Sequence, residues 1–252
     1  MMTRLQSWVG AGALVGVGAL LGWQGQGPAQ AQAQDKAAAR QQPVVIELFQ
    51  SQGCSSCPPA IANLNALADR SDLITLSYGV TYWDYLGWAD TFAKPAFTER
   101  QRRYAQSLKR NNVYTPQMVV GGRNDLVGHR RGDVDKAIAV AQAVLPQAMV
   151  NRQGRQLQVS PLPGGADAAV NATVWLVRYE PRIIDVAIKA GENNGRTLPH
   201  AHVVRDISAL GQWHGGNQSF ELPEVKPEQA PLAQAVLVQV DGHGPILGAA
   251  RL

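Results

Sequence analysis

The sequence predicts an α/β fold followed by a β-rich, sandwich-like unit. A nearly continuous apolar run at residues 44–49 leads into two cysteines and then into an amphipathic segment, which indicates a buried strand joined to a helix. After about Ala148 the chain changes to short β-prone runs separated by Gly, Pro and Asn, which is typical of an all-β unit. We therefore divide the chain into a signal peptide (1–33), a linker (34–43), an α/β domain (44–147) and a β-rich domain (148–252).

The first residues have the pattern of an export signal. Arg4 gives a positive start, residues 8–23 are rich in Gly, Ala, Val and Leu, and residues 29–33 offer small-x-small cleavage sites. An uncleaved anchor is the alternative, although the apolar run is short and glycine-rich for a membrane span. We predict a periplasmic or secreted protein that has no stable membrane insertion after cleavage.

Composition excludes some classes of partner. The hydrophobic content of 45% is ordinary for a globular protein, and the net charge of +4 includes Arg4 of the predicted signal. Basic residues do cluster on a predicted helix at residues 96–110, but Tyr104 and Leu108 mark its apolar side, so a solvated helix face explains them. The sequence shows no pattern of nucleic-acid binding.

Cys54 and Cys57 are the only cysteines in the chain, and they form a CxxC motif. The strand predicted at residues 44–49 precedes the motif, and Pro58 and Pro59 suit the first turn of the helix that follows it. A helix N-terminus carries unpaired N–H groups and a partial positive charge. This position therefore favours a thiolate at Cys54.

Two other interpretations of the motif are weaker. A zinc site needs two more Cys or His ligands, and no His occurs before His129. A structural staple that closes so short a loop removes little entropy from the unfolded chain. In an oxidising compartment, redox chemistry is therefore the favoured interpretation.

The rest of the first domain alternates strands and helices. Residues 81–90 hold four aromatic side chains, and we favour a satellite core over an apolar platform that faces a substrate. A proline that opens an apolar strand removes a ladder donor, so we expect a cis bond at Thr115-Pro116. The predicted elements are a strand at 73–80, a helix at 96–110, strands at 113–120 and 125–128, and a helix at 134–145.

The β-rich unit shows one clear turn, Asn193-Asn194-Gly195-Arg196, which is typical of a hairpin. Its predicted strands lie at residues 157–160, 169–178, 183–189, 202–205, 218–222, 235–240 and 246–252.

The order of elements, Cys54-Ser55-Ser56-Cys57 and Thr115-Pro116 together resemble the thioredoxin-like superfamily over residues 44–145. More narrowly, residues 47–60, 83–88, 203–205 and 210–213 are similar to an uncharacterised family of secreted bacterial thioredoxin-like proteins. That similarity covers most of the mature chain.

The resemblance implies a role for each of five residues. Cys54 is the attacking thiolate, exposed at the helix start, and Cys57 is the buried resolving thiol. Pro116 in cis faces the cysteines and leaves the Thr115 backbone free to pair with a substrate chain. Glu47 either moves protons for Cys57, or is a carboxylate with a local partner or at a solvated edge. No cofactor or metal is implied.

Three functional hypotheses follow. The first is an exported thiol-disulfide oxidoreductase that acts on protein thiols or disulfides and is reset by an unidentified redox partner. The second is a non-enzymatic binding module whose disulfide only locks the structure or senses redox state. The third is a copper-handling protein that uses both thiolates with His129 or with His200 and His202, a pair that we place on one strand face.

Overall fold

The computed structural model describes residues 42–144, 148–162, 170–227 and 231–252. The predicted signal peptide and residues 34–41 of the predicted linker lie outside the described residues. The described residues all belong to one compact unit. None of the helices in these ranges is long and apolar enough to cross a membrane.

Three α-helices and thirteen strands make up the described chain. The helices are α1 (Pro58–Asn65), α2 (Pro95–Ser107) and α3 (Arg131–Gln142), and a short 3-10 helix spans Asp84–Leu86. The strands are β1 (Val44–Gln50), β2 (Leu73–Gly79), β3 (Gln117–Val120), β4 (Asn124–Leu126), β5 (Val150–Gln153), β6 (Gln156–Val159), β7 (Ala172–Tyr179), β8 (Ile184–Ala187), β9 (Thr197–His200), β10 (Val204–Trp213), β11 (Gln218–Glu221), β12 (Ala233–Val240) and β13 (Ile246–Arg251).

The first sheet has the strand order β2-β1-β3-β4. Strand β1 runs parallel to β2 and antiparallel to β3, and β3 pairs antiparallel with β4. Every residue of β1 and β2 is buried, as expected for strands that are covered on both faces. The parallel βαβ unit predicted from residues 44–80 is present.

The two faces of β1 belong to different cores, because successive side chains of a strand point to opposite sides of the sheet. Ile46 and Leu48 pack in the core that contains both cysteines and the buried side chains of α1 and α3. Val45 and Phe49 pack in a second core with α2 and with residues of β7, β10, β12 and β13. The first sheet therefore lies between two helices on one side and α2 with a second sheet on the other.

The C-terminal part is β-rich. Its largest sheet has the order β10-β7-β12-β13, and a three-stranded sheet has the order β11-β6-β5. Leu157 and Phe220 of the smaller sheet share a third core with Leu176 and Val236 of the larger one. The larger sheet thus packs against the first sheet on one face and the three-stranded sheet on the other. The boundary between the two predicted domains stays a prediction, since residues from both sides of it share a core.

Several element boundaries differ from those predicted. Strand β10 is far longer than the predicted run at 202–205, because the bulge around Gly211 and its mixed polarity hide the strand pattern. Strands β5 and β9 were not predicted, since the first is mostly polar and the second contains Pro199. Helix α2 ends at Ser107 rather than Arg110, and Lys109 adopts a left-handed backbone with φ 55°.

Candidate active site

The cysteine pair lies where β1 gives way to α1. Cys57 is the N-cap of α1, and prolines occupy the first turn, as the sequence predicts. The Cys57 carbonyl accepts hydrogen bonds from the N–H groups of Ala60 and Ile61 at 3.0 Å. The backbone between the cysteines is also closed, since the Cys57 N–H donates to the Cys54 carbonyl at 3.2 Å. This compact turn holds both thiols at the start of the helix.

Both cysteines are buried, with an exposed fraction of 0%. For Cys57 this agrees with the prediction of a buried thiol. For Cys54 it is a correction, because the sequence predicts an exposed nucleophile at the helix start. Of the four residues of the motif, Ser55 and Ser56 are exposed. The side chains of Ser56 and of the distant Thr115 lie against the Cys54 sulfur.

Cys54 is surrounded by hydroxyl and thiol donors rather than by a charged partner. Its Sγ lies 3.2 Å from Ser56 Oγ, and Thr115 Oγ1 donates to it at 3.4 Å. Hydrogen bonds from the Cys57 thiol, Ser56 and Thr115 lower the pKa of Cys54 to about 6, although burial opposes them. A substantial thiolate population is therefore present at neutral pH.

Cys57 has the opposite tendency. Burial is the largest cause that raises its pKa, and the neighbouring Cys54 sulfur raises it further through a hydrogen bond and its charge. The two sulfurs, three residues apart, thus differ strongly in acidity. This asymmetry suits one thiolate nucleophile and one protonated resolving thiol.

The structure brings Thr115 and Pro116 to the cysteines. The Thr115-Pro116 peptide bond is cis, as predicted. The Thr115 hydroxyl accepts a hydrogen bond from Trp83 Nε1 at 2.7 Å while it donates to Cys54 Sγ. The Thr115 carbonyl accepts a long hydrogen bond of 3.4 Å from Ser56 Oγ, so this backbone group is less free than predicted.

Glu47 is the predicted site residue that the structure does not bring to the thiols. Its neighbours Ile46 and Leu48 face the cysteine core, so the Glu47 side chain points to the opposite side of the sheet. There Arg100 Nε and Nη2 donate to its two carboxylate oxygens at 2.8 Å and 3.0 Å, and the Tyr104 hydroxyl also donates to it. The interpretation of Glu47 as a carboxylate with a local partner is correct, and a proton shuttle to Cys57 is not supported.

Sequence reasoning missed the contacts made by the turn between β8 and β9. Asn193 Nδ2 donates to the carbonyl of Gln52 at 2.9 Å and to that of Cys54 at 2.8 Å. One carboxylate oxygen of Glu192 accepts from the Ser55 N–H at 2.9 Å. The sequence marks residues 193–196 only as a hairpin turn, and nothing in it places that turn against residues about 140 positions earlier.

The aromatic segment at residues 81–90 does not form the separate satellite core favoured from the sequence, since its partly buried Tyr82 and Trp83 pack at the margin of the main cores. Trp83 packs against both of the cores that flank the first sheet. Trp88 Nε1 donates to Gln52 Oε1 at 2.8 Å, beside the cysteine turn. Tyr85 is the exception, with 79% of its surface exposed.

The histidines do not form the predicted pair. His200 ends β9, whereas His202 lies outside any strand with φ 50°, so the two do not share a strand face. His200 is buried with its ring edge-on to Phe92, and His202 Nδ1 lies 2.7 Å from Thr75 Oγ1. Within the described ranges, no three His, Cys, Asp or Glu residues cluster as a metal site.

Comparisons with known proteins place the chain in a family without assigning it an activity. Residues 45–239 match the model of a family described as protein of unknown function (DUF1223). The match covers most of the chain, and the chain belongs to this family. A comparison with curated proteins finds no match.

Two solved structures are similar to the chain. A protein from Agrobacterium tumefaciens, solved by X-ray crystallography, is 31% identical, with a TM-score of 0.68 over 83% of this chain and 93% of the other. HBP35 of Porphyromonas gingivalis is 14% identical, with a TM-score of 0.51 over 84% of this chain and 75% of the other. The second likeness concerns the fold alone.

Proposed function

We propose that this member of the DUF1223 family is an exported thiol-disulfide oxidoreductase that acts on cysteines of extracytoplasmic proteins through Cys54 and Cys57. The observation that carries the proposal is the geometry of the pair: Cys54 Sγ lies 3.2 Å from Ser56 Oγ and accepts from Thr115 Oγ1 at 3.4 Å beside the cis Thr115-Pro116 bond, and Cys57 is the N-cap of α1. The acidities of the two thiols agree with this geometry. One sulfur has its pKa lowered to about 6 by hydrogen bonds, and its partner three residues away has its pKa raised by burial. A merely structural disulfide needs no such difference in acidity.

A thioredoxin-like fold is part of the proposal. Three features support it: the sheet order β2-β1-β3-β4, helices packed on both faces of that sheet, and a CxxC motif at the junction of β1 and α1. Thr115-Pro116 immediately precedes β3, beside the cysteines. The β-rich part, which packs on the other face of the sheet, would then be an addition to this fold.

The reaction is a pair of thiol-disulfide exchanges. The Cys54 thiolate attacks one sulfur of a client disulfide, so a Cys54–client bond forms, the client S–S bond breaks, and the departing client thiolate takes up a proton. Cys57 then attacks the Cys54 sulfur and releases the second client sulfur, which accepts the proton that Cys57 loses. Two electrons pass from the Cys54/Cys57 pair to the client. The reverse sequence oxidises a client dithiol.

Thiolate stabilisation bears on the direction of transfer. Hydrogen bonds that stabilise the Cys54 thiolate stabilise the reduced form of the protein, and this makes its disulfide a better oxidant. A second protein dithiol or disulfide must reset the pair after each turnover. The potential decides which direction dominates.

A glutathione redox titration, read by mass tagging of free thiols, tests the proposal. We expect a potential between about −120 and −270 mV, with Cys54 reacting before Cys57. A bond that stays closed below about −300 mV would show a structural disulfide instead.

Trapping of clients gives an independent test. The Cys57→Ser variant lacks the resolving thiol, so we expect it to accumulate mixed disulfides at Cys54 with exported proteins. Cys54→Ser is the matched control, since it has one cysteine at the same turn but lacks the nucleophile. Equal trapping by both variants would contradict the assigned roles.

One observation favours a second candidate, a binding module whose cysteines only lock the structure or sense redox state. Both sulfurs have an exposed fraction of 0%, although a nucleophile must reach its client. In that case Cys54→Ser leaves biological activity unchanged, and the titration gives the low potential of a closed structural bond.

A further inference from the structure

Residues 188–196, the connection between β8 and β9, contact the backbone of the cysteine turn, and we call them the covering loop. Two backbone hydrogen bonds close its base, from the Ile188 N–H to the Arg196 carbonyl at 2.8 Å and from the Gly195 N–H to the Ile188 carbonyl at 2.9 Å. The covering loop is therefore a closed turn at the end of a short two-stranded sheet.

Asn193 is the anchor of this loop. Its side chain is fully buried, although its neighbours Asn194 and Gly195 are exposed. One amide nitrogen donates to the carbonyls before and at the first cysteine, those of Gln52 and Cys54. The Asn193 Oδ1 accepts from Arg196 Nη1 at 2.9 Å, which fixes the orientation of the amide. Through these hydrogen bonds, Asn193 holds the backbone of the cysteine turn from a distant part of the chain.

Two further contacts join the covering loop to the cysteine turn. The Glu192 carboxylate accepts from the Ser55 N–H at 2.9 Å, at the exposed side of the turn. Gly191 lies against the cysteine turn, and a Cβ added there would be 3.6 Å from both Gly53 Cα and Trp88 Cβ. Gly191 also has φ 75°, a left-handed conformation that glycine adopts without steric cost. Hence three successive residues of the loop contact the CxxC segment or the residues next to it.

The burial of Cys54 conflicts with the chemistry of exchange. A client sulfur must approach the attacking sulfur to about 3–3.5 Å and along the client S–S axis. The Cys54 sulfur belongs to a residue with no exposed surface. Ser56 and Thr115 contact this sulfur directly, and the covering loop holds the backbone of the turn that carries it.

We propose that the β-rich part controls access to the redox site through the covering loop, with Asn193 as the positioning residue that holds it closed. This inference rests on the proposed function and adds a regulatory element to it. The closed loop holds the cysteine turn in its buried arrangement, and a client that displaces the Asn193 and Glu192 contacts releases the turn and gains access. The loop thereby couples recognition of the client to exposure of the nucleophile.

The rate of alkylation of the reduced protein by iodoacetamide, mapped to each cysteine by mass spectrometry, tests the proposal. At pH 8 Cys54 is already a thiolate, because its pKa is about 6, so changes in rate report access rather than ionisation. Asn193→Ala removes two hydrogen bonds of the closed state, and we expect Cys54 to react about tenfold faster. Asn194→Ala, one residue along on the exposed side of the same turn, is the matched control and should react at the original rate.

Two results would overturn the inference. One is an unchanged Cys54 rate in Asn193→Ala, and the other is an equal acceleration of Cys54 and Cys57, which indicates general loosening rather than loop opening. If Asn193→Ala does not fold, Glu192→Ala replaces it, because Glu192 is exposed and its loss removes one contact. We then expect Cys54 to be alkylated about threefold faster. An unchanged rate would again contradict the inference. Alkylation measures access to Cys54 alone. If the redox titration gives a structural disulfide but Asn193→Ala still accelerates alkylation, the oxidoreductase proposal is refuted and the role of the covering loop is not.

Discussion

The two faces of the first sheet bury reactive polar groups in contrasting ways. On the cysteine face, Cys54 has hydroxyl, thiol and backbone donors around it, with the Ser56 and Thr115 hydroxyls at 3.2 Å and 3.4 Å. On the opposite face, Glu47 has a two-fold contact with the Arg100 guanidinium and a further donor in Tyr104. We name these the cysteine face and the ion-pair face.

The difference teaches what burial means for function. Gln239 of β12 also joins the ion-pair face, since its amide contacts both Arg100 and Tyr104. The Glu47 carboxylate accepts three hydrogen bonds from α2, which tie this helix to the first sheet, and Gln239 joins the same α2 side chains to β12. The neutral donors around Cys54 stabilise a thiolate but do not pair it with a cation, so the thiolate can still react. The partners of a buried group, rather than its burial, separate a structural role from a chemical one.

The largest expected effect breaks the ion-pair face. Arg100→Met leaves the Glu47 carboxylate buried without its cation, and we expect the free energy of unfolding to fall by about 3–5 kcal/mol. Urea denaturation followed by circular dichroism measures the loss. Arg103→Met, on the same helix, breaks an exposed pair with Glu99 and should cost about 0.5 kcal/mol or less. Similar losses in the two variants would contradict the structural role of the ion-pair face.

Acid should weaken the same face. Burial alone raises the pKa of Glu47, but the charge of Arg100 and hydrogen bonds from Arg100 and Tyr104 outweigh it and lower the pKa below 4.5. A depressed carboxyl pKa contributes stability that is present above 4.5 and is lost as pH falls through the folded-state value. We therefore expect the urea midpoint to drop more steeply below pH 4.5 in the natural protein than in Glu47→Gln, which has no carboxyl to protonate. Parallel pH profiles would show that Glu47 does not drive this acid response.

The smallest expected effect is on the cysteine face and concerns the pKa of Cys54. Thr115→Val removes one hydrogen-bond donor to Cys54, so we expect its pKa to rise above about 6 and alkylation at pH 6 to slow by about threefold to tenfold. Thr115→Ser should restore the natural profile, because it keeps the hydroxyl.

Glu47→Gln is the control for this prediction, since it alters only the ion-pair face. Its Cys54 alkylation profile between pH 5 and 8 should match that of the natural protein. A shift as large as that of Thr115→Val would mean that the two faces of the sheet are electrostatically coupled.

Local sequence signals were sufficient for the cysteine turn. The apolar run of β1, the spacing of the cysteines and the prolines after Cys57 all act within a few residues, so they predict strand, turn and helix start together. The proline at the entrance of β3 likewise predicts the conformation of its own peptide bond. Signals of this kind do not depend on residues that are far away in the sequence.

The side on which Glu47 lies could not be predicted in the same way. All seven residues of β1 are buried, so no alternation of polar and apolar side chains shows which face meets the helices. Its partner Arg100 lies 53 residues further along, on a helix whose basic residues suggest a solvated face. Only the packing of α2 on the sheet reveals that one of these residues is buried.

The sequence by itself determined the chemistry available at the site, because residue type and short-range backbone preferences place two thiols at a helix start. The tertiary structure alone decided which distant residues contact them, Thr115 among these. Asn193 contacts the Cys54 carbonyl across 139 positions of the chain, and Glu192 contacts Ser55 across 137. Contacts over such separations arise from the packing of the β8–β9 hairpin against α1 and the cysteine turn, and a turn motif contains no information about the surface against which it will pack.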